Sequence, residues 1–578
     1  MSPARCAVVL RPHAGNEPAY NRAVNTTIRF PSGCALALVA MLSGPAGHCA
    51  AGVVVNARIH TMDEAHPTAE AMAWDESGRI VAVGARDAVL AAAGGGQVRD
   101  LGGATVVPGL IDAHAHLMSL GESLMQADLV GTRDKAEVIA RLRAFEAKLP
   151  PGSWLTGRGW DQNDWPQHDF PTAADLDAAF PDRPVWLERI DGHAGWANGA
   201  AMKRVKRSLD GDWQPQGGRI VRDGGRATGV FIDNATGLVT EAIPLPDDAA
   251  RAEALRRALA ATARVGLTGV HDMGTSLADL RLYRRFADEG KLSLRVNAYA
   301  DGDGDALAEI CAHGAYRHPG GRLRMGGVKL YADGALGSRG AALLAAYSDD
   351  PQNRGILVTT PEALGAAIVK ARRCGAQVAT HAIGDRGNRI VLENYAYALG
   401  EASRSDHRWR IEHAQVVALQ DIRLFADLRV VASMQPSHAT SDMPWAEARL
   451  GEQRLAGAYA WRRFLDARVR LALGSDFPIE SADPRLGIHA AVTRQDLSGF
   501  PPGGWLPSQK LTPYEALRGF TSDAAWAGFT DLEVGRLTRG RRADFVVLGA
   551  DPLKAPPGKL ATIPVLSTWV DGSPVYQQ

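Results

Sequence analysis

The stretch VVPGLIDAHAHL, residues 106–117, decides the fold and poses the first chemical question. Val106, Val107, Leu110 and Ile111 read as a buried strand interrupted by Pro108-Gly109. Side chains at i and i+2 of a strand point to the same side, so His114 and His116 sit together at its C-terminal end. Two neutral imidazoles facing one way are half of a metal site. The plainer alternative is a pair of polar residues bonded to loop carbonyls, and a lone His-x-His motif does not separate the two.

Apolar runs of the same kind recur down the chain, alternating with Ala/Arg/Leu-rich helical stretches as βα units do. After ATVVPGLIDAHAH (104–116) come GLTGVHDMG (266–274), LRVNAYA (294–300), GGVKLYADG (326–334), QVATHAIGD (377–385), WRIEHAQ (409–415), RVVASMQP (429–436) and VRLALGSD (469–476). Eight strands predict an α/β protein with a closed (β/α)8 barrel of the TIM type. The interval between the first two strands is far too long for one βα connection, so residues 150–250 read as an inserted subdomain. It holds Trp154, Trp160, Trp165, Trp186, Trp196 and Trp213, as core or as an apolar wall above the barrel mouth. Both chain ends are β-like, with turn chemistry at Asp75–Gly78 and at Asp571-Gly572. Segments 52–105 and 530–578 are therefore expected to form one small β-sandwich domain, leaving 106–149 and 251–529 to the barrel.

Barrel active sites lie at the C-terminal ends of the strands. There the sequence places His114 and His116, Lys329, His381, His413 and Asp476. Each has a structural reading alone: a snorkelling lysine, hydrogen-bonded core histidines, an aspartate capping a helix. Histidine is scarce, however, at 16 of 578 residues, and a purely structural barrel would place Val, Ile or Leu at such positions. The set reads as a metal centre. Nitrogen and oxygen donors without thiolates suit zinc, with manganese, iron or cobalt as competitors. Such a metal makes hydroxide from water near neutral pH, and Asp476 would handle the proton. His193 in the insertion, and Asp333 and Arg339 after the fourth strand, are candidate substrate-binding residues. The alternatives are packing of His193 on Trp196 and pairing of Arg339 with a loop carboxylate. His271-Asp272 ends the second strand as a candidate support for the ligands.

Composition excludes other classes. Basic and acidic residues balance at 64 each, so no nucleic-acid partner and no polybasic membrane patch is expected. Residues 1–51 read as a leader: Arg29 precedes an apolar run from Cys34 to Leu42, too short to span a bilayer as a helix and followed by small residues. This is the pattern of a signal peptide cleaved after Ala50 or Ala51, giving a periplasmic or secreted protein, with a cytoplasmic one as the alternative. Cys6, Cys34 and Cys49 fall in the leader. Cys311 and Cys374 remain, which is neither a disulfide framework nor a thiolate metal site. Self-association into a homo-oligomer stays open.

The ordered set PGLIDAHAHL, THAIGD, IEHAQ and GSDFP resembles the amidohydrolase superfamily of metal-dependent hydrolases. VKLYADGALGSRGAAL, DGHAGWANGAA and GRRADFVVLGADP resemble its amidohydrolase family 3, or YtcJ-like, branch, from Val53 to the C-terminus. The resemblance implies that His114 and His116 bind the more buried metal and His381 and His413 a second. Lys329, carboxylated by carbon dioxide, would bridge the two, since a free ammonium cannot be a ligand. If Lys329 is unmodified, the site would hold one metal. Asp476 would bind metal and carry the proton. The implied reaction is hydrolysis of a non-peptide C–N bond in a small-molecule amide or N-substituted formamide. Ester, lactone or phosphoester hydrolysis is the alternative, and a non-catalytic scaffold should lack one of these ligands.

Overall fold

The computed structural model describes residues 50–578. The expected leader lies outside these residues except for Ala50 and Ala51, as do Cys6, Cys34 and Cys49. The eight apolar runs form the eight parallel strands of a barrel. They are β1 (Leu110–Ala115), β2 (Leu267–Thr275), β3 (Arg295–Asp301), β4 (Leu323–Tyr331), β5 (Gln377–Ala382), β6 (Arg410–His413), β7 (Val431–Met434) and β8 (Leu471–Leu473). From β1 to β8 each strand pairs with the next.

Between β8 and β1 the ladder is reduced to a single parallel bridge, Ala115 with Phe477, and polar contacts complete the seam. Asp112 accepts from the backbone N–H of His114 and Ser475, each at 3.0 Å, and from Ser475 Oγ at 2.6 Å. Asp476 N donates to His114 O at 2.7 Å and His116 N to Phe477 O at 2.9 Å. Gly474 permits this approach, because a Cβ there would stand 2.5 Å from both Asp112 Oδ1 and His114 N. The seam thus brings the ligand-bearing ends of β1 and β8 together.

Pro108-Gly109 divides the opening stretch between two domains. Thr105–Pro108 pairs with Phe545–Leu548 and Arg58–His60 in a six-stranded sheet, so residues 106–108 belong to the β-domain rather than to the barrel. A second, four-stranded sheet is drawn from residues 52–100. Trp74, Phe545 and Trp569 pack in the domain core, the last two stacked at 5.2 Å. Asp571 and Gly572, at φ 51° and 70°, make the left-handed two-residue turn that suits a hairpin's twist.

The insertion has its own six-stranded sheet, which begins at Ala127–Asp128 rather than near 150. The helix Lys135–Glu146, expected in the barrel, instead buries Val138 and Leu142 in the insertion's core. The barrel helix after β1 is the short Leu117–Ser123. Trp160, Trp165 and Trp196 pack on one another with centroids 6.0–6.3 Å apart, each indole N–H bonded to a backbone carbonyl. They are core and do not line the cavity at the barrel mouth.

One expectation about cysteine is corrected. Cys311 and Cys374 form a disulfide with Cα atoms 4.6 Å apart. They lie on the helix Asp305–His313 after β3 and at the end of the helix Pro361–Arg373 after β4. These helices are neighbours on the barrel's outer ring, which brings together residues 63 apart in sequence.

Candidate metal centre

The barrel interior is polar beneath the mouth. Arg410 and Glu412, two apart on β6, both point inward and are fully buried. Arg410 donates to Glu412 at 2.5 and 2.9 Å, to Ser433 Oγ at 2.6 Å, to Ala113 O at 2.5 Å and to His271 Nδ1 at 2.7 Å. Burial opposes the Glu412 carboxylate, but the Arg410 charge and the His114 hydrogen bond outweigh it and hold Glu412 well below the usual range. It therefore stays ionised beneath the site.

Above this layer three imidazoles are oriented from behind. His114 Nδ1 donates to Glu412 Oε2 at 2.6 Å, His116 Nδ1 to Met273 O at 2.7 Å and His413 Nδ1 to Gln435 Oε1 at 2.9 Å. With Nδ1 engaged, Nε2 keeps its lone pair, as a metal ligand needs. Alternation along β6 would turn His413 away from the inward Glu412. Left-handed backbone at His413 (φ 74°) and Ala414 (φ 43°) breaks the alternation. Asp476 also sits at a left-handed position (φ 64°) after β8, where Asp and Asn are among the tolerated residues.

The donors converge. Asp476 Oδ1 lies 3.3 Å from His114 Nε2 and 3.1 Å from His116 Nε2. Those three residues place one ligand atom each within 4.8 Å of the others, as do His413, His438 and Asp476. The His381 ring lies 4.5 Å from that of His413. Lys329 Nζ reaches to 3.2 Å from His114 Nε2, and burial pushes it down to about 8.

This donor set fits a divalent cation. Asp476 Oδ1 and His381 Nε2 are buried without a hydrogen-bond partner, a costly state for polar atoms. Burial first, then neighbouring positive groups, keeps His381 and His413 well below the usual histidine range, hence neutral. Burial works against the Asp476 carboxylate, but His114 and its other imidazole neighbours hold it well below the carboxylate range. The neutral imidazoles of His114, His381 and His413 beside the ionised Asp476 carboxylate are a cation's ligands.

The centre opens into a cavity of about 1150 Å³. Of the expected substrate-binding residues only His193 lines it. His193 Nδ1 donates to Asp233 Oδ1 at 2.7 Å, and its ring lies 5.3 Å from that of His381. Burial disfavours its charged form, but Asp233 outweighs this and lifts it to about 9. With Nδ1 engaged by Asp233, Nε2 is the nitrogen left for another contact. Asp333 lies behind the site, fully buried, accepting the N–H groups of Ala342, Ile383 and Gly384 at 2.8–2.9 Å. It ties the loop after β4 to the end of β5. Arg339 pairs with Asp349 at 3.1 and 3.2 Å. Neither faces the cavity.

Two neighbours of the site escape the sequence reading. His438, in the helix Pro436–Asp442 after β7, stands 3.3 Å from both Asp476 and Glu480. Burial opposes its protonation, yet those two carboxylates raise it to about 10. Its signal was a histidine two residues beyond MQP, at one of the three strand ends where no ligand had been placed. Glu412 was within the quoted IEHAQ, hidden by the alternation that His413 breaks.

A parallel barrel with this donor set at its C-terminal mouth defines a metal-dependent hydrolase. Residues 97–576 match the sequence model of the amidohydrolase family, and the chain belongs to that family. It is 34% identical over 529 residues to the protein named "Putative amidohydrolase YtcJ" of Bacillus subtilis (strain 168), covering 90% of this chain and 98% of the relative. It is 30% identical over 551 residues to the N-substituted formamide deformylase of Arthrobacter pascens, covering 91% and 98%. An uncharacterized metal-dependent hydrolase from Pyrococcus horikoshii OT3 superposes with a TM-score of 0.72 at 29% identity, covering 88% of this chain and 99% of that one.

Proposed function

We propose that the protein hydrolyses a non-peptide C–N bond in small-molecule amides or N-substituted formamides, with zinc as its metal. The observation that carries this reading is the near full-length likeness to the N-substituted formamide deformylase. A bound metal would supply two things: a water whose pKa is lowered to near 7, and polarisation of the substrate carbonyl.

The chain's own residues do the rest. Asp476, between the imidazoles of β1 and His438, takes the proton from the attacking water at its carboxylate and returns it to the departing nitrogen. His193 Nε2 donates to the substrate from the insertion side of the cavity. Lys329, buried beside His114, becomes a ligand by carboxylation: Nζ bonds to the carbon of carbon dioxide and loses a proton, leaving an anionic oxygen donor. The reading predicts a substrate order. Across a panel of N-alkyl and N-aryl formamides, simple amides, lactones, esters, phosphoesters and Xaa-Pro dipeptides, kcat/KM is highest on a formamide or amide. Turnover confined to esters, phosphoesters or dipeptides would contradict it.

Export is the second part of the proposal. The Arg29–Ala51 pattern supports it, as does the Cys311–Cys374 disulfide, since such bonds persist in oxidising compartments. N-terminal sequencing of protein from the native host should find a start near Ala51. A cytosolic chain with its leader intact would refute export.

A further inference from the structure

The opposite end of the barrel holds a second cavity, of about 300 Å³, between the starts of β1–β4 and the segment 530–544. Its apolar wall includes Ile111, Val270, Val296 and Leu323, all buried. Five arginines face it, and three are neutralised by carboxylates. Asp544 binds Arg295 at 2.5 and 2.8 Å, while Glu533 binds Arg79 at 3.0 Å and Arg542 at 3.1 Å.

Arg317 and Arg324 make no ion pair among the described residues. They stand directly opposite each other where the short strand Tyr316–Arg317 runs antiparallel to β4, an arrangement in which like charges repel. Arg324 gives Nη1 to the carbonyls of Gly528 and Phe529, both at 3.0 Å. Burial and then the Arg317 and Arg408 charges push it below the usual arginine range. At the cavity's inner end lies His271, 1% exposed. Its Nδ1 must accept from Arg410, since arginine only donates. Its proton therefore sits on Nε2, and that buried donor has no partner. Two guanidinium groups without a carboxylate partner among the described residues, beside an apolar wall, suit an acceptor carrying negative charge and an apolar body.

We infer that this cavity binds a small organic carboxylate, with the carboxylate held between Arg317 and Arg324 and the apolar body against Ile111, Val270 and Val296. The volume is at the lower end of small-molecule sites, which limits the ligand to a compact monocarboxylate.

The test uses benzoate as probe on the full chain, with thermal unfolding read against sodium chloride and sodium sulfate at matched ionic strength. Benzoate should raise the melting midpoint saturably and more than either salt. In Arg317→Gln that rise should fall to the chloride level. The midpoint of Arg317→Gln in chloride should equal or exceed wild type, because a repulsive pair is removed from an exposed position. Arg324→Lys, which keeps the charge but loses the fork, should bind benzoate at least tenfold more weakly. A benzoate response that survives Arg317→Gln belongs elsewhere in the protein and overturns the inference. So does a response to sulfate as large as that to benzoate, or none to benzoate in the wild type.

Discussion

Asp476→Asn lowers kcat by on the order of a hundredfold or more and leaves KM nearly unchanged. The substitution keeps the side chain's shape and one oxygen but removes the base that moves the proton. It is also quiet structurally, because asparagine accepts the left-handed backbone at this position (φ 64°). Proton transfer is needed in the transition state more than in substrate binding, so the loss falls on turnover. Bound metal should drop less than in His114→Ala or His116→Ala, which remove a nitrogen donor outright. Steady-state kinetics and metal content measured on the same preparations decide this. Wild-type turnover in Asp476→Asn would remove Asp476 from the proton path.

Glu412→Gln destabilises the protein by about 3–5 kcal/mol, the cost of breaking a buried ion pair from one side. Arg410 is fully buried and Glu412 is its only carboxylate partner among the described residues. The variant leaves the guanidinium uncompensated inside the barrel. Metal affinity should fall about 10–100-fold as well, because His114 loses the carboxylate that fixes its ring and makes Nε2 a better donor. The thermal midpoint of the metal-free protein and a metal titration separate the two effects. An unchanged midpoint with unchanged affinity would show that the Arg410–Glu412–His114 chain supports nothing.

The strands were legible because each barrel strand is an apolar run followed by an abrupt polar end, as in QVATHAIGD and VRLALGSD. That contrast comes from apolar packing along the strands and from donor groups gathered, themselves buried, at the mouth. The edges of the insertion were not legible. Its first strand, Ala127–Asp128, is two residues long, and the helix Lys135–Glu146 reads the same whether it packs on a barrel or on another sheet. The two halves of VVPGLIDAHAHL hide a domain boundary for a similar reason: both are buried strands, and only their pairing partners differ.

Within the site, direction was the missing variable. A polar residue just past a strand can face the mouth, as His193 does from the insertion, or tie a loop from behind, as Asp333 does with three backbone N–H groups. Sequence spacing carries no such direction once left-handed residues such as His413 interrupt the alternation. The Cys311–Cys374 bond was hidden because 63 intervening residues say nothing about which helices lie side by side on the outer ring.

The most direct measurement is elemental analysis of gently purified protein, paired with hydrolysis assayed before chelation, after it and after metal is restored. The donor set of His114, His116, Lys329, His381, His413 and Asp476 predicts about one or two divalent ions per chain, chiefly zinc. Hydrolysis should be lost on chelation and recovered with metal. Protein without metal that keeps full activity would contradict the account.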